Sequence, residues 1–288
     1  MRAACLPFTP ALEQQLRAWL AEDIGRGDLS APALAGSRGS AQWIARQAGV
    51  FCGGVLVAPL FALLDPAVEV QLLVADGEPV RADQVLLELR GQAAALVAGE
   101  RTALNLAMRL SGIATATAAL VDELAGTGVG LADTRKTTPG LRLLEKYAVR
   151  CGGGLNHRLG LDDAAMLKEN HLAWAGGVAP AVAAVRAQAP WPARLIVEAE
   201  TDAEASAAVR AGADGVLLDG FSPEQLAALV PRLRALAGGA ALVLEASGVA
   251  PDRLAAYAAS GVDLISTSAP VTRSPWLDLS MRFSLPIA

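Results

Sequence analysis

Cysteine, histidine and aromatic residues are scarce in this 288-residue chain, and each scarcity narrows the possible functions. The three cysteines, Cys5, Cys52 and Cys151, are scattered without C-x-x-C spacing. This pattern predicts reduced thiols in a cytoplasmic protein and argues against a structural zinc site. Aromatic residues make up 4% of the chain, and its formal net charge is −5. An acidic chain without basic runs among aromatic residues is not expected to bind nucleic acid.

Long hydrophobic runs are also absent, although 53% of the residues are hydrophobic. The longest uncharged run, residues 47–64, is interrupted by Gly53-Gly54 and Pro59. Such interruptions suit a strand, a turn and the start of a helix, so we expect no membrane span. Charged residues interrupt the first twenty positions, and no secretory signal is predicted.

The two halves of the chain have different patterns. In residues 1–114 two predicted strands, 68–74 and 84–89, flank a turn, and a long helix over 99–125 follows, with Arg101 in its first turn. The second half alternates short apolar runs with helical stretches, which indicates βαβ units and a parallel sheet covered on both faces. The predicted strands are 130–132, 164–167, 195–199, 215–218, 241–244 and 262–265, and the predicted helices are 203–211, 223–236 and 251–259. Asp202 and Ser222 are the expected N-caps.

Most of these strands end in a charged or hydroxyl residue. In a β/α barrel the carboxyl ends of the strands form the active-site face. The residues expected there are Arg135, Lys136, Lys168, Glu200, Asp219, Ser247 and Ser266. A closed barrel usually needs about 250 residues and this region has about 155, so we predict a shortened or incomplete barrel.

Both histidines lie in one basic stretch, which predicts a site for a small polyanion. Lys168 could form a Schiff base, pair with Glu200 or bind an anionic substrate, and neighbouring cations favour the last role. His157 is expected to donate to a carboxylate, and His171 to be structural. Glu198 and Glu200 point the same way by alternation, so the choice between them stays open.

At these residues the sequence resembles quinolinate phosphoribosyltransferase. The resemblance is carried by D-T-R-K-T-T-P-G-L-R at 133–142, E-K-Y-A-V-R-C-G-G-G-L-N-H-R-L-G-L at 145–161 and K-E-N-H at 168–171. Shorter matches are A-E-D-I-G-R-G-D at 21–28, E-R-T-A-L-N at 100–105, V-E-A-E at 197–200, L-L-D at 217–219 and L-E-A-S-G at 244–248. The matches extend over nearly the whole chain.

The resemblance implies an N-terminal α/β sandwich, expected over residues 1–114 and joined by 271–288, and a partly open α/β barrel over 115–270 that carries the active site. It implies conversion of quinolinate and phosphoribosyl pyrophosphate to nicotinate mononucleotide, pyrophosphate and CO₂ in de novo NAD biosynthesis, with Mg²⁺. It also implies a homodimer with shared active sites, possibly assembled further.

By matching position, the resemblance assigns roles to individual residues. Thr134, Arg135, His157 and Arg158, with Arg101 from a second subunit, would hold the pyridine dicarboxylate. Lys136 and Lys168 would neutralise carboxylate or pyrophosphate, and Glu200 and Asp219 would face the ribose and Mg²⁺. The 5′-phosphate would be bound by Ser247, Gly248, Ser266, Thr267 and Ser268.

Two positions depart from the family pattern: Val249 replaces a glycine, and Gly220 replaces an asparagine. Three other functions are weighed: a related phosphoribosyltransferase for another heterocyclic acid, of the sort associated with molybdenum transport; a Schiff-base aldolase barrel; and a phosphate-binding scaffold without turnover. The intact K-T-T-P-G and N-H-R segments favour quinolinate.

Overall fold

The computed structural model describes residues 4–284, so the ends of the predicted 1–114 and 271–288 segments, residues 1–3 and 285–288, lie outside it. The chain divides into two compact units. The first contains the residues up to Ala118, the segment Leu144–Gly153 and the residues from Arg273 onward, and the second contains Ala119–Leu143 and Gly154–Thr272.

An antiparallel sheet of four strands forms the centre of the first unit. The helices of this unit are α1 (Pro10–Ile24), α2 (Val57–Ala62) and most of α3 (Ala93–Glu123). The strands of the unit, in the central sheet and in a separate pair, are β1 (Arg38–Ala45), β2 (Gly49–Val50), β3 (Glu69–Leu72), β4 (Pro79–Val80), β5 (Val85–Gln92) and β12 (Leu279–Ser284). The strand order is β12-β1-β5-β3, and β2 pairs with β4 separately. The buried indole of Trp43 lies on β1, in the core of this unit.

The helix α3 begins six residues earlier than predicted, so Arg101 lies in its third turn and not in its first. The prediction placed the start at Gly99, but the helix follows β5 directly at Ala93. By length and composition α3 could cross a membrane, and half of its most apolar stretch is buried inside the structure. Buried core helices have the same composition, and α3 carries part of the first unit's core, including Leu104 and Ala107.

The second unit is a six-stranded parallel sheet with helices between its strands. The strands are β6 (Gly130–Ala132), β7 (Ala165–Leu167), β8 (Leu195–Ala199), β9 (Gly215–Asp219), β10 (Val243–Ser247) and β11 (Leu264–Ser266). The helices are α5 (Glu169–Ala175), α6 (Val178–Gln188), α7 (Asp202–Arg210), α8 (Pro223–Ala237), α9 (Leu254–Ala258) and α10 (Ala269–Arg273). The strand order is β6-β11-β10-β9-β8-β7, so β6 and β7 are the outer strands and do not pair with each other, while Leu155 forms an isolated parallel bridge to Ala132 of β6. The predicted incomplete barrel is confirmed.

One helix falls in a different unit from the one expected. The helix α4 (Arg142–Cys151) lies within the predicted barrel range 115–270, yet from Leu144 it packs with the first unit. Its inward face explains this, because Tyr147 donates from its hydroxyl to Asp76 at 2.9 Å, and Arg109 pairs with the fully buried Glu145 at 2.9 Å.

The sequence predicted the N-cap of one barrel helix correctly and that of another incorrectly. Ser222 caps α8 as predicted, since its side chain accepts the Gln225 N–H. For α7 the cap is Thr201 and not Asp202, because the Thr201 hydroxyl accepts the Glu204 N–H while the Glu204 carboxylate accepts the Thr201 N–H. This reciprocal pair satisfies two helix-end donors, and Asp202 is the first helical residue.

Candidate active site

A cavity of about 370 Å³ lies in the second unit, at the carboxyl ends of the parallel strands. It is lined by Thr134, Arg135, Lys136, Arg142, His157, Arg158, Met166, Lys168, Glu198, Leu217, Glu245, Ser247 and Ser266. Eight of the fourteen predicted site residues are therefore brought together here. The cavity has five arginine and lysine side chains, which makes it strongly cationic in an acidic chain.

Asp133 ties together the two motif segments that carry most of these cations. It directly follows β6 and is buried. Its carboxylate accepts the main-chain N–H of His157 at 2.8 Å and the Asn156 side-chain amide at 2.7 Å. The main chain adds a bond from the Asp133 N–H to the Leu155 carbonyl at 3.0 Å. This anchoring holds the N-H-R segment beside the end of β6, as a preorganised binding site requires.

Two arginines in the cavity repel each other. Partial burial lowers the pKa of Arg158, and the positive charge of Arg135 lowers it further, while Asp163 and Glu198 act in the opposite direction. The Arg158 guanidinium also donates to the Ala164 carbonyl at 3.0 Å. Like charges held together without a bridging anion are unfavourable, so an anionic ligand between them would relieve the repulsion.

Glu198, and not Glu200, is the glutamate of β8 that lines the cavity. Its carboxylate forms an ion pair with the Lys168 ammonium, whereas the sequence had suggested Glu200 as the charge partner. Strand alternation aims Glu198 inward, but β8 ends at Ala199, so alternation no longer applies to Glu200. Glu200 is exposed and lines a neighbouring cavity of about 330 Å³ with Thr201 and Arg232.

His157 faces a second carboxylate within the same cavity. Its Nε2 lies 3.3 Å from Oε2 of Glu245, and both side chains are more than nine-tenths buried. His171 is further along the chain, where its Nδ1 accepts the main-chain N–H of Lys168 at 3.1 Å and so caps α5. His171 therefore has the structural role predicted for it.

Sequence reasoning missed Arg142 and Glu245 as site residues. The Arg142 guanidinium donates to the Thr137 hydroxyl at 3.0 Å and to the Leu159 carbonyl at 3.2 Å, so it braces the loop that carries Lys136. Arg142 belongs to the motif G-L-R and Glu245 to the motif L-E-A-S-G, so these two motifs could have identified them as site residues. Glu245 was placed after a strand ending at Leu244, yet β10 continues to Ser247.

The residues expected to bind the 5′-phosphate are only partly gathered. Ser247 and Ser266 line the cavity, while Gly248, Thr267 and Ser268 are not among its lining residues. The Thr267 N–H is engaged by the Ala132 carbonyl at 3.0 Å, which removes that amide as a phosphate donor. Gly248 has a left-handed φ of 73°, and a Cβ there would lie 3.4 Å from the Asp219 carboxylate.

The two departures from the family pattern have simple structural settings. Gly220 has φ of 75°, a left-handed conformation that glycine and asparagine both tolerate, so the replacement keeps the backbone geometry. Val249 is 6% exposed and contributes to the apolar core of the second unit.

Two further predicted residues, Asp219 and Arg101, also lie outside the cavity lining. Asp219 ends β9 and is half-buried, and its carboxylate forms no hydrogen bond or ion pair within residues 4–284. Arg101 belongs to the first unit, with its side chain 58% exposed and its guanidinium 3.9 Å from the Glu100 carboxylate.

The first unit brings together a separate polar cluster of Cys52, Asp76 and Cys151, whose donor atoms lie within 4.8 Å of one another. The Asp76 carboxylate accepts the N–H groups of Gly53 at 2.9 Å and Gly54 at 2.8 Å. Burial raises the pKa of the Cys52 thiol well above its usual range. A thiol disfavoured as thiolate is a poor metal ligand, because the thiolate is the form that binds metal.

Family models match nearly the whole chain. The quinolinate phosphoribosyl transferase N-terminal domain matches residues 28–111, and the C-terminal domain of the same family matches residues 113–282.

Curated relatives and solved structures match more than nine-tenths of the chain. A probable carboxylating nicotinate-nucleotide pyrophosphorylase of Synechocystis sp. is 46% identical over 280 residues, covering 96% of this chain and 94% of that protein. The human carboxylating nicotinate-nucleotide pyrophosphorylase is 39% identical, covering 92% of this chain and 89% of its own. The crystal structure of NadC from Streptococcus pyogenes superposes with a TM-score of 0.89 at 36% identity, covering 97% of this chain and 99% of that chain.

Proposed function

The chain belongs to the quinolinate phosphoribosyltransferase family, and from this premise we propose how the cavity of its second unit carries out the family's reaction. The enzyme is a pentosyltransferase of NAD biosynthesis: quinolinate and phosphoribosyl pyrophosphate give nicotinate mononucleotide, pyrophosphate and CO₂. The observation that carries the residue-level proposal is the cluster of five arginine and lysine side chains around one cavity.

Quinolinate, a dianion, is bound by the cationic side formed by Arg135 and Arg158. Guanidinium groups match carboxylates in a bidentate geometry, and the mutual repulsion that lowers the Arg158 pKa supports a bridging dianion there. Thr134 and His157 complete this side, and Arg142 braces its loop.

The phosphate groups are bound by a different set of side chains, which carry hydroxyls and ammonium groups. Ser247 and Ser266 end β10 and β11, where β/α barrels commonly bind phosphate. Gly248 allows close approach of the main chain beside Asp219. Lys136 and Lys168 supply compact positive charges for pyrophosphate as it departs.

The donors available to Mg²⁺ fit a site shared with substrate. The half-buried carboxylate of Asp219 forms no hydrogen bond or ion pair in the described chain, so its oxygens remain available to a hard cation. Mg²⁺ is usually held by one or two carboxylates together with substrate phosphates, so Asp219 would hold it. Glu200, expected as the second carboxylate, lines the neighbouring cavity, so Glu198 is the carboxylate of β8 that lies on the substrate side. Bound there, the ion would neutralise the leaving pyrophosphate.

The reaction then needs positioning and charge stabilisation more than strong acid–base chemistry. The bond from ribose C1 to pyrophosphate breaks as the pyridine nitrogen bonds to C1, and fixed carboxylates such as Asp219 stabilise the oxocarbenium-like centre. The ring nitrogen, now cationic, accepts the electron pair released when the adjacent carboxylate leaves as CO₂, and a proton from solvent replaces it.

The resemblance further supports a cytoplasmic homodimer with shared sites. Arg101, exposed on α3 of the first unit, would reach the quinolinate of the partner subunit. The thiols of Cys5, Cys52 and Cys151 are unbridged, which suits a reducing compartment.

One assay tests the proposal at its base. Quinolinate labelled at its C2 carboxylate is mixed with phosphoribosyl pyrophosphate and Mg²⁺, and nicotinate mononucleotide and labelled CO₂ are quantified. Equal yields of both products are expected. An aldolase would instead be trapped by borohydride at Lys168.

A further inference from the structure

Glu245 is an unexpected residue in the middle of a buried strand. Its neighbours along β10, Leu244 and Ala246, are fully buried, and its partners across the sheet are Leu217 and Leu264. An apolar side chain would fit this position at lower cost, because a buried carboxylate is expensive unless it is paired. Residues that break such local rules concentrate at functional sites.

The group facing Glu245 is the imidazole of His157. Oε2 of Glu245 lies 3.3 Å from Nε2 of His157, while Oε1 is buried and accepts no hydrogen bond within residues 4–284. On the other side of the ring, Nδ1 accepts the main-chain N–H of Arg158 at 2.7 Å. The ring thus links a strand of the sheet to the main chain of a cavity arginine.

This arrangement determines which ring nitrogen carries the proton. Nδ1 uses its lone pair to accept the Arg158 N–H and cannot also be a donor in that contact. In the neutral imidazole the proton is then on Nε2, which lies 3.3 Å from Oε2 of Glu245, a close contact whose geometry falls short of a hydrogen bond. A hydrogen bond made by one ring nitrogen sets the role of the other, so the two contacts reinforce each other.

We propose that Glu245 is a positioning residue that holds His157 in the Nε2-protonated form and thereby fixes the main chain that carries Arg158. Without the carboxylate, the Nε2–H would be buried opposite an apolar strand, and ring rotation toward another acceptor would release the Arg158 N–H. The Arg158 guanidinium would then lose its fixed direction in the cavity. Its contact with quinolinate rests on the proposed function, whereas the protonation of His157 does not.

The scarcity of histidine makes a direct test practical. The chain has only two histidines, so labelling with ¹⁵N-histidine gives a spectrum with two imidazoles. The ¹⁵N signals of each ring report which nitrogen carries the proton. We expect His157 to show a protonated Nε2 whose proton exchanges slowly with water, while the exposed His171 serves as the internal control.

Two variants separate positioning from simple stability. Glu245→Leu suits a buried strand, yet it should expose the His157 Nε2 proton to fast exchange and weaken quinolinate binding about tenfold or more, with phosphoribosyl pyrophosphate affinity unchanged. In Glu245→Gln an amide oxygen can still face the Nε2–H, so slow exchange and most of the quinolinate affinity should be retained.

Three results would overturn the inference: an Nδ1-protonated His157 in the wild type, unchanged proton exchange in Glu245→Leu, or equal losses of affinity for both substrates. Wild-type protein that shows the expected His157 signal but does not bind quinolinate would instead contradict the proposed function, and it would leave the positioning of His157 supported.

Discussion

The charge of the cavity predicts strong preference for quinolinate over nicotinate, which lacks the carboxylate at C2. Five arginine and lysine side chains face two carboxylates, Glu198 and Glu245, so the cavity has cations to spare for a dianion. Nicotinate would leave at least one of the two repelling arginines, Arg135 and Arg158, without its anion. Lys168 contributes less to this difference, because its side chain is 43% exposed and pairs with Glu198.

The magnitude follows from the cost of an unpaired group. A partly buried charged donor that loses its partner costs roughly 1–3 kcal/mol, which corresponds to a roughly 5- to 150-fold loss in kcat/KM. Because Arg158 is only partly buried, we expect the middle of that range for one lost carboxylate. Any second cation that loses its partner adds a further factor of the same size.

Both acids would give the same nucleotide, so one chromatographic assay of nicotinate mononucleotide compares them directly, and CO₂ release marks the quinolinate reaction. Arg158→Ala should narrow the ratio of the two kcat/KM values, because the group that senses the second carboxylate is gone. Arg210→Ala, an exposed arginine at the end of α7, is the matched control and should leave the ratio unchanged. Comparable kcat/KM for the two acids in the wild type would refute the reasoning.

Four other outcomes are expected. Lys136→Ala and Lys168→Ala should keep the wild-type melting temperature within error and lose most turnover, since neither side chain is buried in a core; near-normal turnover would remove the assigned role. Arg101→Ala mixed with Lys136→Ala should recover up to about a quarter of wild-type activity after subunit exchange, and no recovery despite proven exchange would place Arg101 in its own subunit's site or in none. Chelation of divalent ions should abolish turnover and added Mg²⁺ restore it, whereas full activity in chelator would contradict a metal role. Tyr147→Phe should lower the free energy of unfolding by about 1–3 kcal/mol in denaturant titrations, because the half-buried Asp76 carboxylate loses a donor.

The parallel strands were predictable because each is a short, mostly apolar run that ends at a polar residue. Strands 130–132 and 195–199 were predicted with the bounds that β6 and β8 have. The sheet of the first unit was harder to foresee, since β1 pairs with β12 from Ser40 opposite Ser284 to Ala45 opposite Leu279. Pairing between opposite ends of the chain leaves no local pattern in either segment.

The site shows the same division between local and tertiary information. Cations in the D-T-R-K and N-H-R motifs were identified from composition and spacing, because several of one sign in an acidic chain are conspicuous. The sequence did not decide whether Glu198 or Glu200 faces the site. Alternation applies only as far as the strand continues, and the end of β8 at Ala199 is a property of the folded sheet.

Sequence patterns do not reveal the buried carboxylates that orient the groups of the cationic cavity. Glu245 occupies one position of an otherwise apolar strand, and nothing in V-L-E-A-S indicates that its carboxylate meets His157 from a segment nearly ninety residues earlier in the chain. The role of Asp133 likewise depends on the fold, because its carboxylate accepts the His157 N–H only where the N-H-R segment returns to the end of β6. In a cationic cavity the arginines and lysines set the charge that attracts substrate, while these buried carboxylates set where the cationic groups point. A search for paired opposite charges across strand ends would therefore find positioning residues that a search for cations alone passes over.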